Sequence, residues 1–393
     1  MIMLKRSSFV QLAHAIQDDR PVQGLTHCFY RYPARFSPLF ARAAIEAFTN
    51  EGDTVFDPFI GGGTTIVEAS ALGRRGVGTD ISSLAIFLTR VKTTLLSDDD
   101  ITQIKKWLTN VDRWLNLRND ALRPTEWILS GYQRNISSRT TWPTRKATEL
   151  AIGELWRLGN VQQDFVRCAL LKTAQWALDC RTRIPTAKEF RHRLVVHSEE
   201  MLDGLRELRR EVRRFTRPVE PLCINRSLIG IEDDERAKVF FPPKLVVCSP
   251  PYPGIHVLYH RWQVNGRRET PAPFWIANSL DGNGASHYTF GDRGQRGLEA
   301  YFEQAGKVYR SLRKVVDQQT TLVQLVAFSS PSWQLQRFLQ ILSEAGFSEV
   351  NYSEISNSDD GRLWRSIPHR KFYADQRGHI PASKEVLLIH KIS

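Results

Sequence analysis

Val55-Phe56-Asp57-Pro58-Phe59-Ile60-Gly61-Gly62-Gly63-Thr64-Thr65 runs from apolar residues through an acid and a proline into three glycines, and Ile66-Val67-Glu68-Ala69 continues it with helix-forming residues. The pattern predicts a strand, a tight turn and a helix start. Glycine has no Cβ, so backbone in such a turn can come within touching distance of a ligand. The helix that follows aims unpaired N–H groups and the positive end of its dipole at the same spot. Gly76-Val77-Gly78-Thr79-Asp80 then reads as a short second strand ending in an acid. An acid there can accept both hydroxyls of a ribose. The pair predicts a nucleoside site in a doubly wound sheet; the alternative is a tight turn without a ligand.

The glycines do not follow Gly-x-Gly-x-x-Gly, and no Lys-Ser or Lys-Thr comes after them. That excludes a dinucleotide fingerprint and a Walker-type triphosphate loop. Asp-Pro-Phe-x-Gly-x-Gly-Thr-Thr resembles the S-adenosylmethionine (AdoMet) loop of the amino-methyltransferases that modify DNA. The other diagnostic element of that family is a Ser/Asn/Asp-Pro-Pro-Tyr tetrapeptide at a strand end, and Leu245-Val246-Val247-Cys248-Ser249-Pro250-Pro251-Tyr252 supplies it here. The Ser-Pro-Pro-Tyr version is most typical of members that methylate cytosine N4, although some N6-adenine enzymes share it.

The resemblance implies an α/β fold: a Rossmann-like seven-stranded methyltransferase sheet with a mostly helical insert between the AdoMet site and the catalytic motif. It implies cofactor contacts from Asp57, Pro58, Phe59, Gly61, Gly63 and Thr64, and from Asp80 and Ile81. Tyr30, Pro33 and Phe36 fall in the segment that packs along the cofactor's methionine end in the family, though an aromatic loop filling the core is the alternative for each. The position that aligns with the family's adenine-side acid is Asn225, at the end of the strand Leu222-Cys223-Ile224. S-adenosylmethionine is the implied cofactor, S-adenosylhomocysteine its product, and no metal is needed.

The amine chemistry explains the tetrapeptide. An exocyclic amine of cytosine or adenine is a poor nucleophile, because its lone pair is delocalised into the ring. Acceptors aimed at its two N–H bonds draw the lone pair out; the Ser249 hydroxyl and the Pro250 carbonyl suit this. Pro250 and Pro251 stiffen the backbone and offer no competing N–H, and Tyr252 gives a flat face to stack the base. The base must leave the duplex to be reached, at a cost of roughly a few kcal/mol. Cytosine C5 chemistry would need a reactive cysteine, typically in Pro-Cys; Cys248 lies on the strand instead and reads as buried core.

The chain has 393 residues, 41% of them hydrophobic, and a net charge of +12. No run of 18 apolar residues occurs, which excludes a spanning helix. The start lacks the features of a secretory signal, and the scattered cysteines (28, 168, 180, 223, 248) suit a reducing cytoplasm rather than a zinc site or a disulfide framework.

Residues 1–100 are expected to form the first part of the methyltransferase domain, 101–220 the helical insert and 221–393 the rest, with an aromatic, glycine-bearing loop at 253–297. In the family that the two motifs resemble, a region between these sites commonly reads the target sequence, so the resemblance makes the insert the candidate target-recognition region for duplex DNA; it carries 23 Lys and Arg against 14 Asp and Glu. Within it Arg134, Arg139, Trp142, Arg145 and Lys146 interleave basic and aromatic residues, a pattern suited to phosphates and an unstacked base; a solvated loop is the alternative. Leu363-Trp364-Arg365 with Arg370 and Lys371 makes a second such patch. The expected function is a DNA cytosine-N4 methyltransferase of a restriction or defence system, alongside a cognate endonuclease. Adenine N6, RNA as substrate and a non-catalytic DNA-binding module are the alternatives.

Overall fold

A computed structural model describes residues 6–18, 20, 22–33, 35–121, 125–216, 219–254, 261–266, 268–279, 290, 294–366 and 384–393. Among them lie ten strands: β1 Thr54–Asp57, β2 Arg75–Asp80, β3 Leu222–Asn225, β4 Leu245–Cys248, β5 Trp262–Val264, β6 Arg268–Thr270, β7 Thr321–Ala327, β8 Phe347–Glu349, β9 Leu363–Ser366 and β10 Lys384–Ile392. Eight of these build one sheet, in the order β3-β2-β1-β4-β7-β10-β8 with β9 paired to β10, and β5 and β6 form a separate hairpin. The first five strands of that order run parallel. β10 is antiparallel to β7, β8 and β9. The expected Rossmann-like sheet is therefore present, with one more strand than the seven anticipated. β8 and β9 share the outer edge of β10: β8 pairs along 390–392 and β9 along 384–387. Leu363-Trp364-Arg365 is thus strand and not a free basic patch. Leu363 and Arg365 turn inward and Ser366 outward, an alternation too short to stand out in the sequence.

β1, β4 and β7 are buried at every position. A parallel sheet covered on both faces requires such unbroken apolar runs. The helices Gln295–Arg313 and Pro331–Glu344 cover one face, through Tyr301, Tyr309, Phe338 and Leu342. Arg6–Gln17 and Pro38–Phe48 cover the other, through Leu12, Ile16, Phe40 and Ile45. The start of Pro38–Phe48 follows the sequence signal: the Ser37 hydroxyl accepts from Leu39 N at 3.2 Å and proline takes the first position, a cap contributing about 1 kcal/mol.

The described part of 101–220 contains helices and no strand; Asn160–Leu178 and Ala187–Val212 are the longest. The second opens on a reciprocal cap between Thr186 and Glu189. The apolar core of this region does not stop at its sequence boundaries. It takes in Phe29 and Tyr32, Leu84 and Leu88, and Trp262 and Trp275, so the helices are packed into the rest of the protein.

Candidate active site

Because β3, β2, β1 and β4 are parallel, their last residues lie along one edge of the sheet. Asn225 pairs with Asp80 in the register, Asp57 with Gly78, and β4 runs beside β1 with Phe56 opposite Val246. Chain order reverses at β1: β2 and β3 extend one way and β4 the other. A crevice opens at such a switch point, outside the carboxyl ends of the strands. The tips of β1 and β4 are neighbours across it, with strand axes about 4.8 Å apart.

The turn after β1 is built by its own hydrogen bonds. Asp57 Oδ1 accepts from Phe59 N at 3.0 Å. Ile60 N donates to Thr79 O at 3.1 Å and Gly63 N to Ile60 O at 2.9 Å. Gly63 has φ +79°, and a Cβ there would lie 2.6 Å from Thr89 Oγ1. Helix Thr64–Ala71 starts immediately after it. Asp80 holds the turn from the next strand: Oδ2 accepts from Gly61 N and Oδ1 from Ser82 N, both at 2.8 Å. A carboxylate oxygen has two lone pairs, so each still has one to offer a ribose hydroxyl. Ile81 beside it is 42% exposed, an apolar shelf next to a polar cradle. Asn225 Nδ2 donates to Asp80 O at 2.9 Å, and its amide oxygen is left to accept. These residues fit a nucleoside with a cis-diol.

Burial pushes the Asp57 carboxyl up to about 7, and the nearby Asp80 charge adds to the shift. Burial pushes Asp80 up to about 6. An acid raised on folding binds its proton more tightly in the folded state, so its stability contribution is complete below about pH 4 and is lost as pH rises through its folded value. The Tm advantage of Asp57→Asn over the parent is therefore expected to grow between pH 4 and pH 8. Thermal unfolding of both proteins across that range checks it, and a constant difference would refute the assignment.

Beneath the turn lies a residue that the sequence did not single out. Lys92, 1% exposed, donates from Nζ to Gly62 O at 2.6 Å. Burial, with Arg35 nearby, pushes its ammonium down to about 7. Lys92 and Ile60 O thus grip the Gly62–Gly63 peptide from its two sides. The signal was its place on an otherwise apolar helix stripe with Leu88 and Val91.

At the tip of β4, Ser249 and Tyr252 are half-buried and Pro250 is buried. Tyr301 Oη donates to Pro251 O at 2.7 Å, and Tyr252 Oη donates to Glu385 Oε1 at 2.8 Å. Gly254, at φ +68°, lets the chain pass Ser329, whose Oγ would be 2.3 Å from a Cβ. Cys248 is fully buried, and burial drives its thiol well above the ordinary value, so a nucleophilic thiolate is not available there.

Several expected contacts are placed elsewhere. Tyr30 is buried and its hydroxyl accepts from Trp262 Nε1 at 2.8 Å; Phe36 packs edge-on against Phe40 in the core, with ring centroids 5.3 Å apart. Both are packed into core. Pro33 is half-buried. Tyr32 is the aromatic residue from this segment that touches the turn: its ring would be 3.4 Å from a Cβ on Gly61. Pro58 and Thr64 are buried in the turn and Phe59 is half-buried.

Of the basic residues in the insert, Arg134 and Arg139 are exposed. Trp142 opens helix Trp142–Gly153, with Lys146 Nζ 5.5 Å from its ring centre. Arg145 is buried in an ion pair with Glu149, one helical turn on, so it is not free to meet a phosphate. Asn135 Nδ2 donates to Glu269 O at 2.8 Å and Ser138 and Thr140 bond Asn265. The segment therefore sits on the β5–β6 hairpin that follows the β4 tip. Arg370 and Lys371 lie outside the described residues. Among the described residues, no helix is long and apolar enough to cross a membrane.

A family profile described as DNA methylase matches residues 14–88. The type II methyltransferase M.MjaII of Methanocaldococcus jannaschii is 33% identical over 85 residues, covering 22% of this chain and 16% of the relative. M.MvaI of Kocuria varians, also a type II methyltransferase, is 35% identical over 82 residues, covering 20% of this chain and 18% of its own. The similarity thus spans less than a fifth of each relative. Among solved structures, the rRNA methyltransferase aviRa of Streptomyces viridochromogenes overlaps 92% of this chain and 89% of its own at 10% identity with a TM-score of 0.33, too slight a likeness to bear on the site. Residues 14–88, which build the tips of β1 and β2, are thus the part of this chain that is similar to the N6/N4 amino-methyltransferase family of DNA methylases.

Proposed function

We propose that the protein transfers a methyl group from S-adenosylmethionine to the exocyclic N4 of cytosine in duplex DNA, within a restriction-modification system. The single observation that supports this reading is that the glycine turn follows β1 and Ser249-Pro250-Pro251-Tyr252 follows β4, parallel neighbours at the point where the chain order reverses. When bound, S-adenosylmethionine supplies the methyl group on a sulfonium and leaves as S-adenosylhomocysteine. To hold it, Asp80 would accept from the ribose, Ile81 would cover the adenine face, and the amide oxygen of Asn225 would take the adenine amino group. Ser249 Oγ and the Pro250 carbonyl accept from the target amine, so that its lone pair points toward the methyl carbon. The amine nitrogen gains the methyl group and sheds one proton to water. Positioning carries most of the rate, since the donor is already reactive.

The Ser-Pro-Pro-Tyr sequence favours cytosine N4. Digestion of DNA modified by the protein, followed by mass spectrometry, tests this: N4-methylcytosine is expected, and N6-methyladenine would move the reading to adenine. An unmodified duplex alongside methylated structured RNA would overturn the substrate class. Asp80→Ala is expected to weaken AdoMet binding roughly 10- to 100-fold, as for loss of hydrogen bonds to a charged acceptor. Calorimetry reads this directly, and unchanged affinity would remove Asp80 from the site.

A further inference from the structure

The hydroxyl of Tyr252 does not end in solvent. It reaches past β7 to β10 and donates to Glu385 Oε1 at 2.8 Å. Glu385 is 6% exposed and Arg365 7%. They are direct cross-strand partners on β10 and β9. Arg365 Nε donates to the other carboxylate oxygen, Glu385 Oε2, at 2.6 Å. Arg365 Nη1 donates to Ile16 O, on helix Arg6–Gln17, at 2.7 Å. The carboxylate is therefore divided: one oxygen is held by the guanidinium and the other is turned to the tyrosine.

A buried ion pair is a poor device for stability alone. Removing two charges from water costs about as much as their attraction returns, and apolar residues of similar volume often serve as well or better. What such a pair does supply is direction. A carboxylate gripped from behind by a planar guanidinium has a fixed orientation, and so has the group it accepts from. Tyr252 follows two prolines whose carbonyl at Pro251 is itself held by Tyr301. The phenol is thus fixed by backbone at one end and by its hydroxyl at the other, which fixes the ring's long axis; because a phenolic O–H lies in the plane of its ring, the direction of Glu385 orients that plane as well. A base leaving a duplex needs a stacking face already in place, since a ring free to turn adds an ordering cost to every binding event.

We infer that Glu385, oriented by Arg365, is a positioning residue that sets the ring plane of Tyr252 for the flipped target base. This rests on the assignment of Ser249-Pro250-Pro251-Tyr252 to the target amine. The placement also gives β9 a purpose beyond the seven-stranded path: it brings Arg365 behind Glu385 at the edge where methyl transfer occurs.

A double-mutant cycle tests the inference. Tyr252→Phe keeps the ring and removes the donor. Glu385→Ala removes the acceptor, and Glu385→Gln keeps an acceptor oxygen in its place. Methyl transfer to duplex DNA, AdoMet affinity and thermal unfolding are measured for each protein. Tyr252→Phe and Glu385→Ala are each expected to lower kcat about tenfold with AdoMet affinity unchanged, and the double variant to be no worse than either, because both remove one interaction. Glu385→Gln is expected to recover part of the loss. Fluorescence of 2-aminopurine at the target position is expected to rise less on binding the variants than on binding the parent. Losses that multiply in the double variant, or Tyr252→Phe at the parent's kcat, would overturn the positioning role. If Glu385→Ala does not fold, the cycle runs on Glu385→Gln with Arg365→Lys. Absence of transfer by the parent protein itself would overturn the underlying assignment and this inference together, whereas transfer with multiplying losses overturns the inference alone.

Discussion

Ser249→Ala is expected to lower single-turnover methyl transfer by roughly 100- to 1,000-fold, the range found when one preorganised hydrogen-bonding group is removed from a site of developing charge. AdoMet affinity should stay as in the parent. The residue stands at the tip of β4, beside the strand that carries the glycine turn. Its hydroxyl is small, half-buried and followed by two prolines, so a methyl group in its place leaves the backbone undisturbed. The acceptor for one amine N–H is what disappears. The lone pair of that amine then stays in conjugation with the ring, and the barrier rises with little change in binding. Labelled AdoMet with a duplex substrate gives the rate, and calorimetry gives the affinity. A variant with parental rates would remove Ser249 from the chemistry.

Gly63→Ala is expected to lower AdoMet affinity at least about 100-fold and stability by about 1–3 kcal/mol, the usual cost of forcing a methyl group into a filled space. Two effects act together. The backbone at φ +79° is one that an L side chain rarely adopts, and the new Cβ would sit 2.6 Å from Thr89 Oγ1. Thr89 cannot simply turn aside, because its hydroxyl donates to Ala85 O at 2.8 Å. The turn must shift outward, into the space a ligand would use. Thermal unfolding and AdoMet titration of the variant separate the two losses. Full affinity in a destabilised protein would show that the turn does not face the cofactor.

The parts of the site written into consecutive residues were the parts legible in the sequence. Asp57 to Gly63, Asp80 and the tetrapeptide from Ser249 each combine a strand end with a residue type of narrow use, and their order along one edge follows from parallel pairing. Which way an aromatic side chain faces is not local information. Tyr30 turns to Trp262, 232 residues away, while Tyr32 meets the glycines, and nothing in Tyr-Arg-Tyr distinguishes them. Arg145 read as a phosphate contact because its neighbours are basic; its partner Glu149 stands one helical turn on, the spacing at which ion pairs form. Lys92 and Glu385 were missed for a common reason. Each is a charged residue with polar neighbours in sequence, Arg90 and Thr93 beside Lys92 and Lys384 beside Glu385, and its role is set by a backbone or side-chain group brought near only by the fold.

The position of β10 has a consequence for synthesis. It follows every other strand among the described residues, yet takes an interior place between β7 and β8. A ribosome must deliver residues 384–392 before β7 is paired on its second side, and until then the nascent sheet carries an open edge of the kind that recruits other chains. A polypeptide cut short before residue 384 would also leave Tyr252 without Glu385 as its acceptor. Incomplete translation products should therefore aggregate rather than methylate.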